Sequence, residues 1–466
     1  MVFGILAQNL SEVDPDAWLQ QVNSNLIHPL AFVIFVIAAA WLFIGPRGKV
    51  AWSVLMVACF ISVAQRFSVI TMDFNFMRAI GTLALIRMLT YGELRTIRPH
   101  VVDKLMLAFV VSIVVMTAIR EGPSGAVPKA GNCLDWFSMY WVGRSSLRTM
   151  RDIRLLMAAL GVMVLPVAIF FIIEQLTGRN HFSIFGGVSP LTQIRDGKLR
   201  AQGSFCHPII AGVFFACFTP LAIGIILSKV RGISAFLGGW FALTLSLITI
   251  LMTNSSTPVA GVLVGLMAWA TFKFRSSLKS WMYIVIFLMV IGHFGSTHGI
   301  HHVVFTRIDF TGSSSGYHRY LLVDGLIDNL TQWGFYGDRT PGYNRSFRDI
   351  TNMYVVSAIT GGLIALVLHL SLVYQAFKAT IRGVRHAVNR EELMMMYGLG
   401  CSFAAIYVSF TAVACYGEGI IPCYMILGCG ISTSQTLAQR RLARVSHPKQ
   451  KPNGQQPVGR TSADQV

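Results

Sequence analysis

The chain is divided into a long succession of apolar runs, most near the 20 residues a helix needs to cross roughly 30 Å of hydrocarbon. They fall at residues 27–44, 51–68, 74–91, 104–119, 133–142, 153–176, 205–228, 233–252, 257–274, 281–295, 353–377, 394–414 and 419–437. In lipid every backbone polar group must be paired within the chain, so unbroken runs of this length read as helices and not as alternating barrel strands. Charge is correspondingly scarce, at 12% of residues, against about 25% in soluble proteins. The expected fold class is an all-α polytopic membrane protein of about 12–13 transmembrane helices. The run at 133–142 is short and weak, and if it does not cross, every segment upstream changes side.

One transmembrane domain is expected over residues 1–437, with a large polar loop at 298–352 inside it. Residues 438–466 are expected to form a disordered basic cytoplasmic tail, since they are polar and lack apolar periodicity. The N-terminus does not read as a cleavable signal. Its apolar start lacks a basic n-region and leads into Glu12, Asp14 and Asp16.

The net charge of +18 would suggest a nucleic-acid partner in a soluble chain, but no nucleic-acid-binding motif accompanies it here. The positive charge falls instead in alternate linkers: Arg47 and Lys49; Arg95 and Arg98; Arg144, Arg148, Arg151 and Arg154; Lys229 and Arg231; Lys273, Arg275 and Lys279; Lys378, Arg382, Arg385 and Arg390. Cytoplasmic loops collect Lys and Arg, so this set is expected inside. The N-terminus and two polar stretches, 178–207 and 298–352, then lie outside.

Those outer stretches carry arginines that work against orientation, namely Arg179, Arg195 and Arg200 in the first, and Arg307, Arg319, Arg339, Arg345 and Arg348 in the second. A guanidinium is a planar, permanently charged fork that binds two oxygens at once, which suits a diphosphate. Arg78, near the outer end of its run, is a candidate for the same cluster. Asp349, between Arg348 and the next run, is the leading candidate for a general base, with His207 and His318 as alternatives. Glu174 and Glu418 at outer run ends, and Asp309, Asp324, Asp328 and Asp338 in the loop, read as structural.

Other signals read as architecture. Ser255-Ser256-Thr257 stands where a helix cap is expected. Gly361-Gly362 suits helix packing. Leu322, Val323 and Leu326 share one face of a short amphipathic helix expected to lie on the membrane surface. Most of the eight cysteines sit in apolar runs and read as packing residues, although Cys133 with Cys206 or Cys415 is a conceivable disulfide. His301-His302 is not a zinc signature, and no metal or cofactor is expected.

Three segments resemble the O-antigen ligase/polymerase family of bacterial envelope polysaccharide enzymes. Arg200-Ala201-Gln202-Gly203-Ser204-Phe205-Cys206-His207-Pro208 resembles the segment that opens a central span. Arg319, then Leu326-Ile327-Asp328 and Gly334-Phe335-Tyr336-Gly337, resembles the loop. Thr351-Asn352-Met353-Tyr354, then Gly361-Gly362-Leu363, resembles the opening of the following span. The resemblance covers about residues 150–370.

It implies a metal-independent membrane glycosyltransferase acting at the outer face. The donor would be a glycan on a polyprenyl diphosphate and the acceptor a glycan hydroxyl. Chain-length regulators, flippases and membrane lipids would be its partners. Arg200 and Arg319 would clamp the diphosphate and serve catalysis, with Arg307, Arg78, His207 and Asn352 in supporting binding roles and Asp349 as base. The ligases carry a histidine where this chain has Thr351, which favours a polymerase of the O-antigen or exopolysaccharide type over a ligase. A transporter of an anionic or lipid-linked solute is the reading from a different class.

Overall fold

The structure, a computed structural model, describes residues 27–69, 72–295, 302 and 315–446. The expectations for the N-terminal stretch, for Arg307 and Asp309, and for the tail beyond Ser446 lie outside those residues. The chain is an all-α polytopic membrane protein. Eight helical stretches among the described residues are long and apolar enough to cross a membrane.

Three shorter helices come first: α1 (Pro29–Ile44), α2 (Val50–Phe60) and α3 (Phe76–Thr90). The long ones follow, with α4 at Val101–Ser146, α5 at Met150–Thr177, α6 at Pro208–Ser228 and α7 at Ile233–Met252. Next come α8 (Ser256–Ala270) and α9 (Leu278–Gly295), separated by a 3-10 run that breaks at Phe274, with φ −96° and ψ 15°. The loop holds α10 (Ser315–Asp328) and α11 (Leu330–Trp333). The chain closes with α12 (Met353–His386), α13 (Arg390–Ser409) and α14 (Ile420–Ser446).

Each expected run has a helical counterpart, but the run expected at 353–377 is not one span, because its helix reverses at Gly362, and other details differ. The second run was expected to reach 68, but its helix stops at Phe60. Beyond it, two short strands pair antiparallel, β1 (Arg66–Val69) on β2 (Met72–Asn75), with Phe67 opposite Phe74. At the other end α14 runs on to Ser446, so the first residues assigned to the tail are helical. The eight cysteines are all free, so neither conceivable disulfide is formed.

The weak fifth run is resolved by α4. Asp103 and Arg144 lie 41 residues apart, yet their side chains pair at 2.9 Å. A straight helix would separate them by roughly 60 Å at 1.5 Å per residue. The chain reverses at Gly122, whose φ of 70° and ψ of −170° break the helix just before Pro123. Both legs therefore run the length of the bundle.

α12 repeats the device. Ser357 Oγ and His369 Nδ1 lie 2.8 Å apart although 12 residues separate them, a spacing of about 18 Å in a straight helix. The reversal is at Gly362, with φ 69° and ψ −168°. The two reversals abut. Arg120 Nη1 donates to the carbonyls of Tyr336, Ile359 and Thr360, at 2.7, 3.1 and 3.3 Å. It thereby closes the carbonyl end of the short leg 353–361. The turn Gly334–Gly337 lies against the same place: Leu363 N donates to Gly334 O at 2.8 Å, and a Cβ on Gly362 would stand 2.5 Å from Phe335 O.

Contacts sort the linkers into two ends. At the basic end Arg148 reaches Thr96 and the Glu93 carbonyl, Arg390 the Leu227 carbonyl, and Arg154 pairs with Glu391. At the loop end Gln65 binds the Phe185 carbonyl, Ser62 that of Gly187, and Met353 N donates to Phe410 O. The predicted alternation of basic and non-basic linkers is thus an alternation between the two ends of one bundle. Exposed apolar side chains such as Ile284, Phe287 and Leu288 on α9 have the composition of a lipid-facing surface.

The loop helix α10 differs from its expected place on the membrane surface. Leu322 and Leu326 are buried with Trp333, Phe347, Val355, Ala358 and Ile359 in a small core of their own. Packing against the short leg of α12 removes that face from any lipid surface. Gly325 permits it, since a Cβ there would meet Asn344 Nδ2 at 2.7 Å and the Phe347 ring at 2.8 Å.

Candidate functional site

The segment from Arg200 to His207 links the strand hairpin β3 (Gln193–Arg195) and β4 (Lys198–Arg200) to α6. Two buried carboxylates hold it. Glu174, at the end of α5, accepts from the backbone N–H groups of Gln202 and Gly203 at 3.1 and 2.9 Å. Glu418, fully buried, accepts from Cys206 N at 3.3 Å and Val63 N at 3.2 Å. Asn180 donates to Gly203 O at 2.8 Å, and Ser204 to Cys59 O at 2.7 Å. Gly203 has φ +59°, and a Cβ there would run into the Phe171 ring, so the position requires glycine on two counts.

Held this way, Arg200 is only 4% exposed. Its Nη2 donates to Ser255 Oγ at 2.6 Å and its Nη1 to Gln193 Oε1 at 3.4 Å, while its buried Nε has no partner. No carboxylate pairs with it among the described residues. Burial first, and then the Arg195 charge, push the guanidinium below its ordinary range. Such a group can accept an anion as its partner.

Arg319 comes from α10 and donates to Thr257 Oγ1 at 3.3 Å. Ser255 and Thr257 are two residues apart at the start of α8. Two arginines more than a hundred residues apart in sequence therefore meet at one helix N-terminus, whose free N–H groups and dipole also favour an anion. The capping role expected for Ser255 is corrected: its hydroxyl makes no cap hydrogen bond. It is a ligand of Arg200 and donates to Thr253 O at 3.0 Å.

His207 caps α6, its Nδ1 accepting from Ile209 N at 3.1 Å. Burial, followed by the charge of Arg200, lowers its pKa to about 4, with Asp349 acting in the opposite sense. The ring is therefore neutral at ordinary pH. Because Nδ1 accepts, Nε2 carries the proton and is a donor. That suits phosphate binding and removes His207 as a base.

Asp349 is exposed and lies close enough to influence both His207 and Tyr416. Its side chain makes no hydrogen bond among the described residues. Its backbone carbonyl meets His318 Nε2 at 2.8 Å. A carbonyl only accepts, so that nitrogen bears the proton, and Nδ1 of His318 is the basic one. Asp349 and His318 thus stand as the two candidate bases beside the arginine pair.

A scan of protein-family models and a search of curated proteins both find no match for the chain.

Two expected members of the cluster are placed elsewhere. Arg78, 7% exposed, is paired with Asp135 by two bonds of 3.1 and 2.9 Å, and it also reaches Asn132 at 3.3 Å. Gly131 makes room for it. Its charge is thus answered inside the helix layer by Asp135. Asn352, 2% exposed, caps α12 through Tyr354 N and Val355 N, at 2.9 and 3.2 Å, and donates to Thr411 O at 3.3 Å. That use of its amide makes it a cap, not a ligand-facing group.

Asp135, Ser255 and Thr257 were the residues sequence reasoning missed in these roles. A lone acid inside an apolar run was the available signal for Asp135. Nothing local marks the two hydroxyls as arginine ligands.

Proposed function

We propose that the chain is a membrane glycosyltransferase, a polysaccharide polymerase of the O-antigen or exopolysaccharide type. The observation that carries this reading is the convergence of Arg200 and Arg319 on Ser255 and Thr257, with Arg200 buried and lacking a counter-charge. A diphosphate is the anion that fits two guanidinium forks, a helix N-terminus and the Nε2–H of a neutral imidazole. The location at the end of the bundle that holds the large polar loop suits a donor whose lipid tail stays in the membrane.

In the proposed reaction a sugar hydroxyl of the acceptor attacks the anomeric carbon of the donor glycan. The bond from that carbon to the diphosphate oxygen breaks, and the electron pair leaves with the lipid diphosphate. Asp349 or His318 accepts the hydroxyl proton. Arg200, Arg319 and His207 stabilise the charge gathering on the leaving diphosphate, which is electrostatic catalysis by groups already in place. The acting face is the periplasmic or exterior one. No metal is required in this scheme, since the arginines carry the charge that a divalent ion would otherwise balance. Thr351, in place of the ligases' histidine, supports polymerase over ligase.

The test is surface-glycan length in a deletion strain complemented with wild type or with Arg200→Ala. Loss of long chains, with a single lipid-linked repeat accumulating, is the result expected. Finished polymer stranded on its lipid would identify a ligase. Unchanged glycan with Arg200→Ala at normal membrane abundance would overturn the enzyme reading and favour transport.

A further inference from the structure

At the opposite, basic end, a cavity of about 970 Å³ opens between α9, α12 and α14. That is the upper part of the size range of small-ligand sites. Its walls carry five cations, Lys279, Lys378, Arg382, Arg385 and Arg441, and no carboxylate. The loop-end arginines have no part in it.

The positive-inside rule accounts for cations at this end. It does not account for their arrangement. Arg144, Arg154 and Arg87 at the same end are each matched by an acid, Asp103, Glu391 and Glu93. The five around the cavity share it with no acid. Arg441 is fixed at the rim by donating to Arg385 O at 2.7 Å.

A second observation is independent of charge. Ser434, 2% exposed, lines the cavity, and its Oγ makes no hydrogen bond. His386 Nδ1, also in the lining, is buried and equally unpartnered. Buried polar atoms without a partner cost free energy, so an orphaned hydroxyl and ring nitrogen on two lining residues of one cavity mark a place for a polar ligand. His100, on the same wall, is held below its ordinary pKa by burial and then by Arg144, with Asp103 opposing and Arg382 and Lys378 adding smaller effects.

Apart from Gln375 and Gln435, the rest of the lining is apolar or aromatic and includes Met282, Tyr283, Tyr374 and Ile431. Along α9 the apolar side chains are exposed as they leave the cavity. A charged head inside and an apolar tail along α9 describe one amphiphile.

We propose that this cavity binds a phosphate group carried on an apolar tail, the headgroup of an anionic phospholipid from the leaflet at the basic end. Guanidinium forks and the Ser434 hydroxyl receive the phosphate oxygens, and the acyl chain lies against α9. The site stands apart from the transferase reading and does not depend on it.

The test uses the full-length protein, purified in a zwitterionic detergent, with lipid binding followed by native mass spectrometry. The probes are phosphatidylglycerol, phosphatidylcholine and inorganic phosphate. Phosphatidylglycerol is expected to be retained in preference to phosphatidylcholine, and inorganic phosphate alone to bind far more weakly. Arg382→Gln with Arg441→Gln is expected to weaken phosphatidylglycerol binding roughly thirtyfold, from two membrane-proximal charges. Ser434→Ala, which removes only the hydroxyl, is expected to weaken it a fewfold.

Lys229→Gln with Arg231→Gln removes two exposed cations of the same end that lie outside the cavity, and should leave binding unchanged. Equal losses from the cavity pair and this control pair would reduce the effect to general surface charge and overturn the proposal. So would inorganic phosphate binding as tightly as the lipid, because the ligand would then be a soluble anion. Thermal unfolding of each variant without lipid confirms that loss of binding is not loss of fold.

Discussion

Arg78 and Arg200 are buried to a similar degree, 7% and 4% exposed, but their surroundings differ. In the helix layer, Arg78 faces Asp135 through a bidentate pair. At the loop end, Arg200 has a serine, a glutamine and an unpartnered Nε. Carboxylates are not scarce around Arg200. Glu174 and Glu418 are both buried beside its segment, but each is turned to backbone N–H groups. A buried guanidinium without a counter-ion is expensive, and such cost is tolerated where a ligand removes it. Under the proposed function, the pair separates an arginine that holds the fold together from one kept for an anion.

The comparison can be broken at several points. Asp135→Ala strands the Arg78 charge and is expected to cost about 3–5 kcal/mol, read as a lower thermal midpoint of the purified protein. Replacing both partners with apolar residues of similar size should recover most of that loss. A cost below about 1 kcal/mol from the single change would mean that Arg78 is not structural. Arg200→Gln should do the reverse, lowering the rate of glycan transfer by about 10²–10³ while changing the midpoint little. If instead the protein unfolds, Arg200 belongs with Arg78.

Smaller effects sharpen the difference. Gly203→Ala places a Cβ at φ +59° against Phe171 and should cost about 1–3 kcal/mol. Its activity loss should follow from displacement of Arg200 and be seen in the rate more than in abundance. Asn352→Ala removes a cap and should cost about 1 kcal/mol, with the KM for donor unchanged.

The smallest effect is in pH. The His207 pKa is held down, at about 4 against an ordinary 6.5. Between those values the unfolded chain takes up a proton that the folded ring refuses, so stability falls as pH drops from 6.5 towards 4. His207→Gln should flatten that slope in a pH series of thermal midpoints, and an unchanged slope would refute the assignment.

Much of the fold was legible in advance, and so was part of the site. The apolar runs, the alternating basic linkers and the short helices in the loop followed from residue type and spacing. Arg200, Arg319, His207 and Asp349 were identified as candidates and are gathered at one end of the bundle. Arg78 and Asn352 were misplaced because their partners, Asp135 and Thr411, are far away in sequence. Ser255 looked like a cap because any serine before an apolar run does.

What the sequence alone determined is local and set by the solvent. Hydrocarbon thickness dictates run length, backbone pairing dictates helix, and the cost of charge in lipid dictates where linkers fall. Only the tertiary structure decided which arginines are answered by an acid and which are not. It also decided that the long helices at Gly122 and Gly362 fold back, because a glycine permits a reversal but only the contacts of Arg120, Gly334 and Phe335 require one. Charge pairing acts across a few ångströms of space, and segments more than a hundred residues apart are brought within that range only by packing.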